Sequence, residues 1–522
     1  MTPSQPDPVE AGTTIKVRPR EELGGPAAQS PSSSPDHTSE ALAAPPPIAM
    51  VGVLFDKITL SGTLRRVATM IASRQPHYIA TANVDFVVQA MEDLELRRIL
   101  SDSDLVLCDG MPLVWASRFL GNPLPERVAG SDLVPALLAE AERQSWRVYF
   151  LGGTPESVAK AAEKVRAQHP RLELVGAYSP PFKPLLEMDH DDMVRRIREA
   201  RPDILLVAFG CPKQEKWISM QFRRTGVPVS IGVGATIDFL AGSVRRAPIW
   251  MQGSGLEWVF RLLQEPRRLF RRYFMDLWFF GGAILRQWWQ LRSIRGQARK
   301  TNAILVAATH NDSMEVVRFP SRIDAAAVEE HVHLWPRLAA GTAHLLLDLS
   351  GVSFIDSTGV GLLVRLQKQL REGGRQLVLV APAPPVLQAL ALMRFTEFFP
   401  RATDLATARD LVHARVGETN VLPTLNLAPG EEPLAWQGDI VAANEQNVWR
   451  ITMMQLELAN HRKTGVSVNL AGVRFIDSTG VGLMVRIRKA ARERDIPLRF
   501  TDPQAAVLNV LRILRMESYL LG

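Results

Sequence analysis

Three stretches of this 522-residue chain place reactive groups at spacings that suit chemistry. Asp109 and Gly110 close the apolar run DLVLCDG (104–110). A carboxylate that directly follows a buried strand faces the crevice at the carboxyl end of a sheet, where it can take a proton from an attacking hydroxyl. The same position suits a cap for a helix opening at Pro112, so position alone leaves both readings open. The second stretch, Gly152-Gly153-Thr154-Pro155-Glu156, joins a strand-like run to a helix. Glycines permit close backbone approach and free N–H groups at a helix start attract phosphate oxygens, although the full GxGxxG spacing is missing. The third is the nonapeptide FIDSTGVGL, present at Phe354–Leu362 and again at Phe475–Leu483, 121 residues later. Asp-Ser-Thr-Gly between a strand and an apolar helix is a helix start with capping side chains, with Ser357 and Ser478 as the capping hydroxyls.

Metal chemistry finds little support. Ser101-Asp102-Ser103-Asp104 contains an Asp-x-Asp string of the type that holds a metal-bound nucleotide-sugar, but it precedes its strand, at the opposite edge from the other candidates. The ten histidines cluster only as His331-x-His333, and no zinc spacing occurs. No metal or cofactor is expected.

The elements that must position these groups follow from periodicity. Residues 49–245 alternate apolar runs (77–84, 104–110, 147–153, 203–210 and 227–234) with helical patterns such as SVAKAAEKVRAQ (157–168). Continuous apolar strands separated by helices predict a parallel sheet covered on both faces, with ligands bound beyond the strands' carboxyl ends. Polar and glycine residues gather there: Thr81 and Asn83, Asp109 and Gly110, Gly152 and Gly153, Gly210–Gln214, and Gly232 and Gly234. From about residue 303 a strand–helix pattern restarts twice, around HLLLDLS (344–350) and VSVNLA (466–471), with ARVGETNVLPTLNLAPGEEP (414–433) at the junction.

Length implies about three or four domains. Hydrophobic content of 46% with 22% charged residues is that of a globular protein. Residues 1–48 differ: ten of the 36 prolines and few large apolar residues predict a disordered tail without the basic start and apolar run of a signal peptide. Two cysteines, Cys108 and Cys211, suit a reduced, cytoplasmic protein rather than a disulfide scaffold. The net charge of +7 is local, since residues 245–300 alone carry +9 and the remainder −2. That segment interleaves arginine with five of the eleven tryptophans, and its longest charge-free apolar stretch, Leu277–Leu285, is nine residues. A bilayer span needs roughly 20, so the pattern predicts a helix lying in the membrane interface, the alternative being a helix packed on the body. Nucleic-acid binding fits the tryptophans poorly.

TANVDF (81–86), CDGMPLVWASRFLG (108–121), ERVAGSDL (126–133), FLGGTPE (150–156), AFGCPKQEKWI (208–218), GVGATIDFLAG (232–242) and the arginine-rich stretch to Tyr273 together resemble the WecG/TagA/CpsF glycosyltransferases. The resemblance implies a Rossmann-like, metal-independent, inverting enzyme that moves a sugar from a UDP-sugar to a polyprenyl-diphosphate-linked acceptor at the inner face of the cytoplasmic membrane. It implies Asp109 as catalytic base and Thr81, Asn83, Arg127 and Gln214 around sugar and acceptor. Gly152 and Gly153 would lie against the UDP diphosphate. Arg261, Arg268 and Arg271 would be functional arginines of an appendage that closes over the site. Cys211 has no implied role.

LSGVSFIDSTGVGLL and LAGVRFIDSTGVGLM resemble STAS domains, the small α/β modules of anti-sigma-factor antagonists. That resemblance implies docking of a partner such as a serine kinase or anti-sigma-like protein, with Ser357 and Ser478 as phosphorylation candidates. The expected organisation is a tail (1–48), an α/β transferase domain (49–245), an Arg/Trp-rich membrane-associating appendage (246–300) and two STAS domains (303–413 and 422–522). The rival expectation is a catalytically weak scaffold that signals through the repeats.

Overall fold

The computed structural model describes residues 45–243, 246–248, 251, 257–264, 266–297, 306–311, 313–319, 321–332, 334–396, 398–419, 434–441, 444–514 and 516–522. Most of the expected tail and of the 414–433 junction, and His333, lie outside them. The described residues begin at Pro45, inside the expected tail, and Ile48 opens a buried strand.

The N-terminal body runs β1 (Ile48–Met50), β2 (Val53–Phe55), α1 (Leu60–Ser73), β3 (His77–Ala82), α2 (Val84–Glu92), α3 (Leu94–Asp102), β4 (Leu105–Cys108), α4 (Met111–Phe119) and α5 (Gly130–Gln144). It continues with β5 (Val148–Gly152), α6 (Pro155–Gln168), β6 (Leu174–Tyr178), α7 (His190–Ala200), β7 (Ile204–Ala208), α8 (Lys213–Thr225), β8 (Val229–Gly232) and α9 (Thr236–Ala241). Six strands form one parallel sheet in the order β4-β3-β8-β7-β5-β6. Alternate side chains feed the two faces: Leu107, Phe150, Leu206 and Ile231 enter one apolar cluster, Val106, Tyr149, Leu205 and Val207 the other. Burial on both sides explains why these strands read as unbroken apolar runs. The edge strand β6 escaped the sequence reading because only Leu174 in it is buried.

The basic segment forms α10 (Glu257–Gln264) and α11 (Pro266–Gln297). One side of α11 packs on the body through Phe280 and Ile284. Gln287 clasps the first strand, its Oε1 accepting from Val51 N at 3.0 Å and its Nε2 donating to the Ala49 carbonyl at 3.0 Å. The other side exposes Phe270, Phe274, Trp278 and Trp289, the first three rings stacked one turn apart. The helix is therefore both packed and exposed. No described helix is long and apolar enough to cross a membrane.

The first repeat contains β9 (Val306–Asn311), β10 (Met314–Arg318), β11 (Arg322–Ile323), α12 (Ala325–Glu330), α13 (Leu334–Ala340), β12 (His344–Asp348), β13 (Phe354–Ile355), α14 (Ser357–Glu372), β14 (Leu377–Val380), α15 (Pro384–Leu392), β15 (Arg401–Ala402) and α16 (Leu405–Thr419). Its main sheet has the order β15-β14-β12-β10-β9. The second contains β16 (Leu434–Ile440), α17 (Glu445–Arg462), β17 (Val466–Ile476), α18 (Ser478–Arg492), β18 (Leu498–Thr501), α19 (Ala505–Ile513) and α20 (Glu517–Leu521), with a parallel sheet β16-β17-β18.

The nonapeptide opens α14 and α18, but its serines are not the caps. Asp356 Oδ1 accepts from Thr358 N at 2.8 Å and Gly359 N at 3.0 Å, and Asp477 Oδ1 from Gly480 N at 2.9 Å. Ser357 and Ser478 are the first helical residues and are buried. The body and first repeat share one apolar cluster, in which Ala49, Leu54 and Leu291 pack with Leu345, Leu347 and Leu366.

Candidate active site

A cavity of about 490 Å³ opens beyond the carboxyl ends of β3, β4, β7 and β8, the place an open parallel sheet offers to a ligand. Thr81, Asn83, Asp109, Arg127 and Gln214 all line it. The appendage supplies Glu257, Trp258, Gln264, Tyr273, Asp276 and Leu277 to its wall.

Each predicted residue is held by the local fold. Thr81 Oγ1 donates to the Gly232 carbonyl at 2.8 Å, tying β3 to β8. Asn83 caps α2, its Oδ1 accepting from Phe86 N at 3.2 Å. Asp109 does not cap the next helix: Gly110, with no side chain, takes the N-cap of α4. Its Oδ2 accepts from Gly130 N at 3.3 Å instead, so the carboxylate faces the N-terminus of α5, whose dipole favours negative charge. Burial and the neighbouring Asp109 charge push the Cys108 thiol far up, which leaves it an inert core group.

Arg127 reaches 130 residues along the chain to Glu257 (2.8 Å) and also binds Asp132 (2.6 Å). Arg246 contacts the same Asp132 at 2.6 Å, so two guanidiniums and two carboxylates rivet the appendage to the mouth of the cavity. Burial alone would lower the Arg127 pKa, but Glu257, Asp132 and Asp109 hold it above its ordinary value.

Gln214 knits two glycine turns together. Its Oε1 accepts from Gly210 N and Gly234 N, each at 3.1 Å, while its Nε2 donates to Glu215 Oε1 at 2.7 Å. Glu215 is fully buried and its pKa is pushed up to about 7 by that burial, despite hydrogen bonds from Gln214 and Cys211 that favour the anion. Cys211 thus acquires a role the sequence left open. Sequence reasoning missed Glu215, since KQEKW at a helix start reads as a solvated charge run.

One predicted pair falls elsewhere, and the predicted arginines are only partly described. Gly152 and Gly153 do not line the cavity: the Gly153 N–H donates to the Ala208 carbonyl at 2.9 Å, and a Cβ on Gly152 would stand 2.6 Å from that same oxygen. These glycines let β5 and β7 end side by side. Arg271 stands exposed on α11, while the side chains of Arg261 on α10 and Arg268 on α11 lie outside the described residues. Asp104, of the Asp-x-Asp string, binds His77 Nδ1 and Tyr78 N at 3.0 and 2.8 Å, a structural role.

Three segments of the chain match known families. Residues 48–294 match the glycosyl transferase WecG/TagA/CpsF family, residues 306–408 the STAS domain, and residues 438–522 the Mlab STAS domain. The N-acetylglucosaminyldiphosphoundecaprenol N-acetyl-beta-D-mannosaminyltransferase of Bacillus spizizenii is 33% identical over 200 residues, 38% of this chain and 76% of that protein. The enzyme of the same name from Staphylococcus aureus (strain MW2) is 27% identical over 226 residues, 43% of this chain and 87% of that protein. Among solved structures, an anti-sigma-factor antagonist (STAS) domain protein from Planctomyces limnophilus matches 20% of this chain and 97% of its own at 25% identity, with a TM-score of 0.19. By these matches the chain belongs to the WecG/TagA/CpsF family of glycosyltransferases, extended by two STAS domains.

Proposed function

We propose that the chain transfers a sugar from a UDP-sugar to a polyprenyl-diphosphate-linked acceptor in cell-surface glycan assembly, with inversion and without a metal. The observation that carries this reading is the Asp109 carboxylate in the wall of the cavity beside Arg127. Asp109 removes the proton of the acceptor hydroxyl as its oxygen attacks the anomeric carbon. The bond to UDP breaks on the opposite face and UDP departs with the electron pair. Thr81, Asn83, Arg127 and Gln214 bound the sugar and acceptor. Arg261, Arg268 and Arg271 offset the charge on the leaving diphosphate, which guanidinium groups match in shape. The relatives' names make N-acetylmannosamine the first donor sugar to test, with N-acetylglucosaminyl-diphosphate-polyprenol as acceptor.

The exposed aromatic file of α11, flanked by Arg267, Arg271, Arg286 and Arg292, suits the headgroup layer of an anionic membrane and supports a cytoplasmic enzyme held peripherally at the inner membrane. The STAS pair would regulate or localise it, with Ser357 and Ser478 as candidate targets of a serine kinase.

Incubating the purified chain with UDP-sugars and the lipid acceptor tests the proposal. Asp109→Asn should slow transfer by about 10²–10⁴-fold. Transfer at the unaltered rate would remove Asp109 as base, and UDP binding without transfer to any lipid acceptor would favour the scaffold reading.

A further inference from the structure

The repeated nonapeptide contains two glycines, and they face different neighbours. A Cβ on the first would strike a strand carbonyl of its own repeat: on Gly359 it would stand 2.2 Å from Ile323 O, and on Gly480 2.7 Å from Ile440 O. A Cβ on the second would meet the N-terminal body or the Pro47 segment that leads into β1. On Gly361 it would stand 2.0 Å from Pro47 O, and on Gly482 3.0 Å from Met220 Cε. Equivalent residues of two separate STAS domains thus press on two different places of one body.

The polar groups beside these glycines are paired across the same boundary. Asn122 Nδ2 donates to Thr358 Oγ1 in a short hydrogen bond. The Ser478 N–H, an orphan donor at the start of α18, donates to Glu95 Oε1 at 2.5 Å. Glu95 is in turn held by Lys216 at 2.9 Å, on the helix that carries Gln214 into the cavity. The Arg98 guanidinium stacks 3.7 Å above the Phe475 ring.

On the reading of these repeats as docking modules, we propose that the partner gripped by the helix-start face of both STAS domains is the transferase domain of this same chain. Transferase-side groups chosen for each copy, an amide for the Thr358 hydroxyl and a carboxylate for the Ser478 N–H, make the two contacts specific. A separate protein that recognises this face must first displace the transferase. A phosphoryl group on Ser478 would meet the Glu95 and Asp477 carboxylates, so modification and docking of that copy exclude each other.

Hydrogen exchange of the full chain, read by mass spectrometry, decides the matter from both sides. Gly482→Trp, in the second STAS domain, should speed exchange of transferase residues 94–101 by at least about tenfold. Glu95→Ala, in the transferase, should speed exchange at Ser478–Val481 by about tenfold, as expected for loss of a charge-assisted hydrogen bond. If Gly482→Trp instead unfolds its domain, exchange rises through β18 as well, and Glu95→Ala decides alone. Exchange at Ser478–Val481 that stays at the unaltered rate in Glu95→Ala overturns the proposal. The readout is independent of turnover, so an inactive chain with protected helix starts would defeat the transferase reading and leave this one standing.

Discussion

Replacing Glu215 by glutamine should stabilise the protein at alkaline pH and leave its stability unchanged at mildly acidic pH. The folded chain raises this carboxyl from 4.5 to about 7 through burial. Below the unfolded value both states hold the proton and the group has no effect. As pH climbs from 4.5 to 7, the unfolded chain releases the proton while the folded chain keeps it, so folding becomes progressively less favourable. Above 7 the penalty is complete, and at 1.36 kcal/mol per pH unit it amounts to about 3 kcal/mol. Glutamine removes the titration, and its carbonyl can still accept from Gln214 Nε2, so the clamp on Gly210 and Gly234 survives. The gain should therefore be near zero at pH 4.5 and about 3 kcal/mol at pH 8. Urea unfolding read by exchange of the β7 and β8 amides isolates this domain from the STAS transitions. Glu215→Leu serves as contrast: it also removes the titration but strands the Gln214 donor, so it should lie about 1–3 kcal/mol below Glu215→Gln at either pH. An equal effect of Glu215→Gln at pH 4.5 and pH 8 would refute the reasoning.

Gly152→Ala combines a φ of +101° with a contact 2.6 Å from Ala208 O, and should lower stability by at least about 2 kcal/mol, visible as a fall in Tm. Arg127→Leu leaves Glu257 and Asp132 to Arg246 alone; the cost should be about 3 kcal/mol, with faster proteolysis of α10 as its signature. Trp278→Ala with Trp289→Ala removes two rings that are 70% and 68% exposed, so Tm should hold. Co-sedimentation with anionic vesicles should nevertheless drop by at least about tenfold, and unchanged partitioning would exclude α11 as the membrane contact.

Much of the site was legible because parallel strands are buried on both faces. The apolar runs 77–84, 104–110, 203–210 and 227–234 marked the sheet, and the polar residues at their ends marked the edge where the candidate site lies. Asp109, Thr81, Asn83 and Gln214 follow from that logic. Arg127 followed only from family resemblance, since its partner Glu257 lies 130 residues away and no local pattern joins them. Glu215 was hidden by its type: a carboxylate between glutamine and lysine is normally solvated, and only the tertiary fold buries it. Gly152-Gly153 resembles a phosphate loop because glycine serves close packing and anion binding equally well, and the contact with the Ala208 carbonyl shows the packing use. In FIDSTGVGL the helix start was clear, but a serine and an aspartate compete for the cap, and Asp356 and Asp477 take it.

The clasp of Gln287 on the first strand, and the cluster that Ala49, Leu54 and Leu291 share with the first repeat, bear on how such a gene can evolve. A recombination break between the codons for Gln297 and Val306 falls between two modules on paper. In the folded chain it would strip apolar side chains from both products and leave each with an open seam. Cutting the chain there exposes apolar surface on both halves, so either half made alone needs that seam resurfaced to stay dispersed.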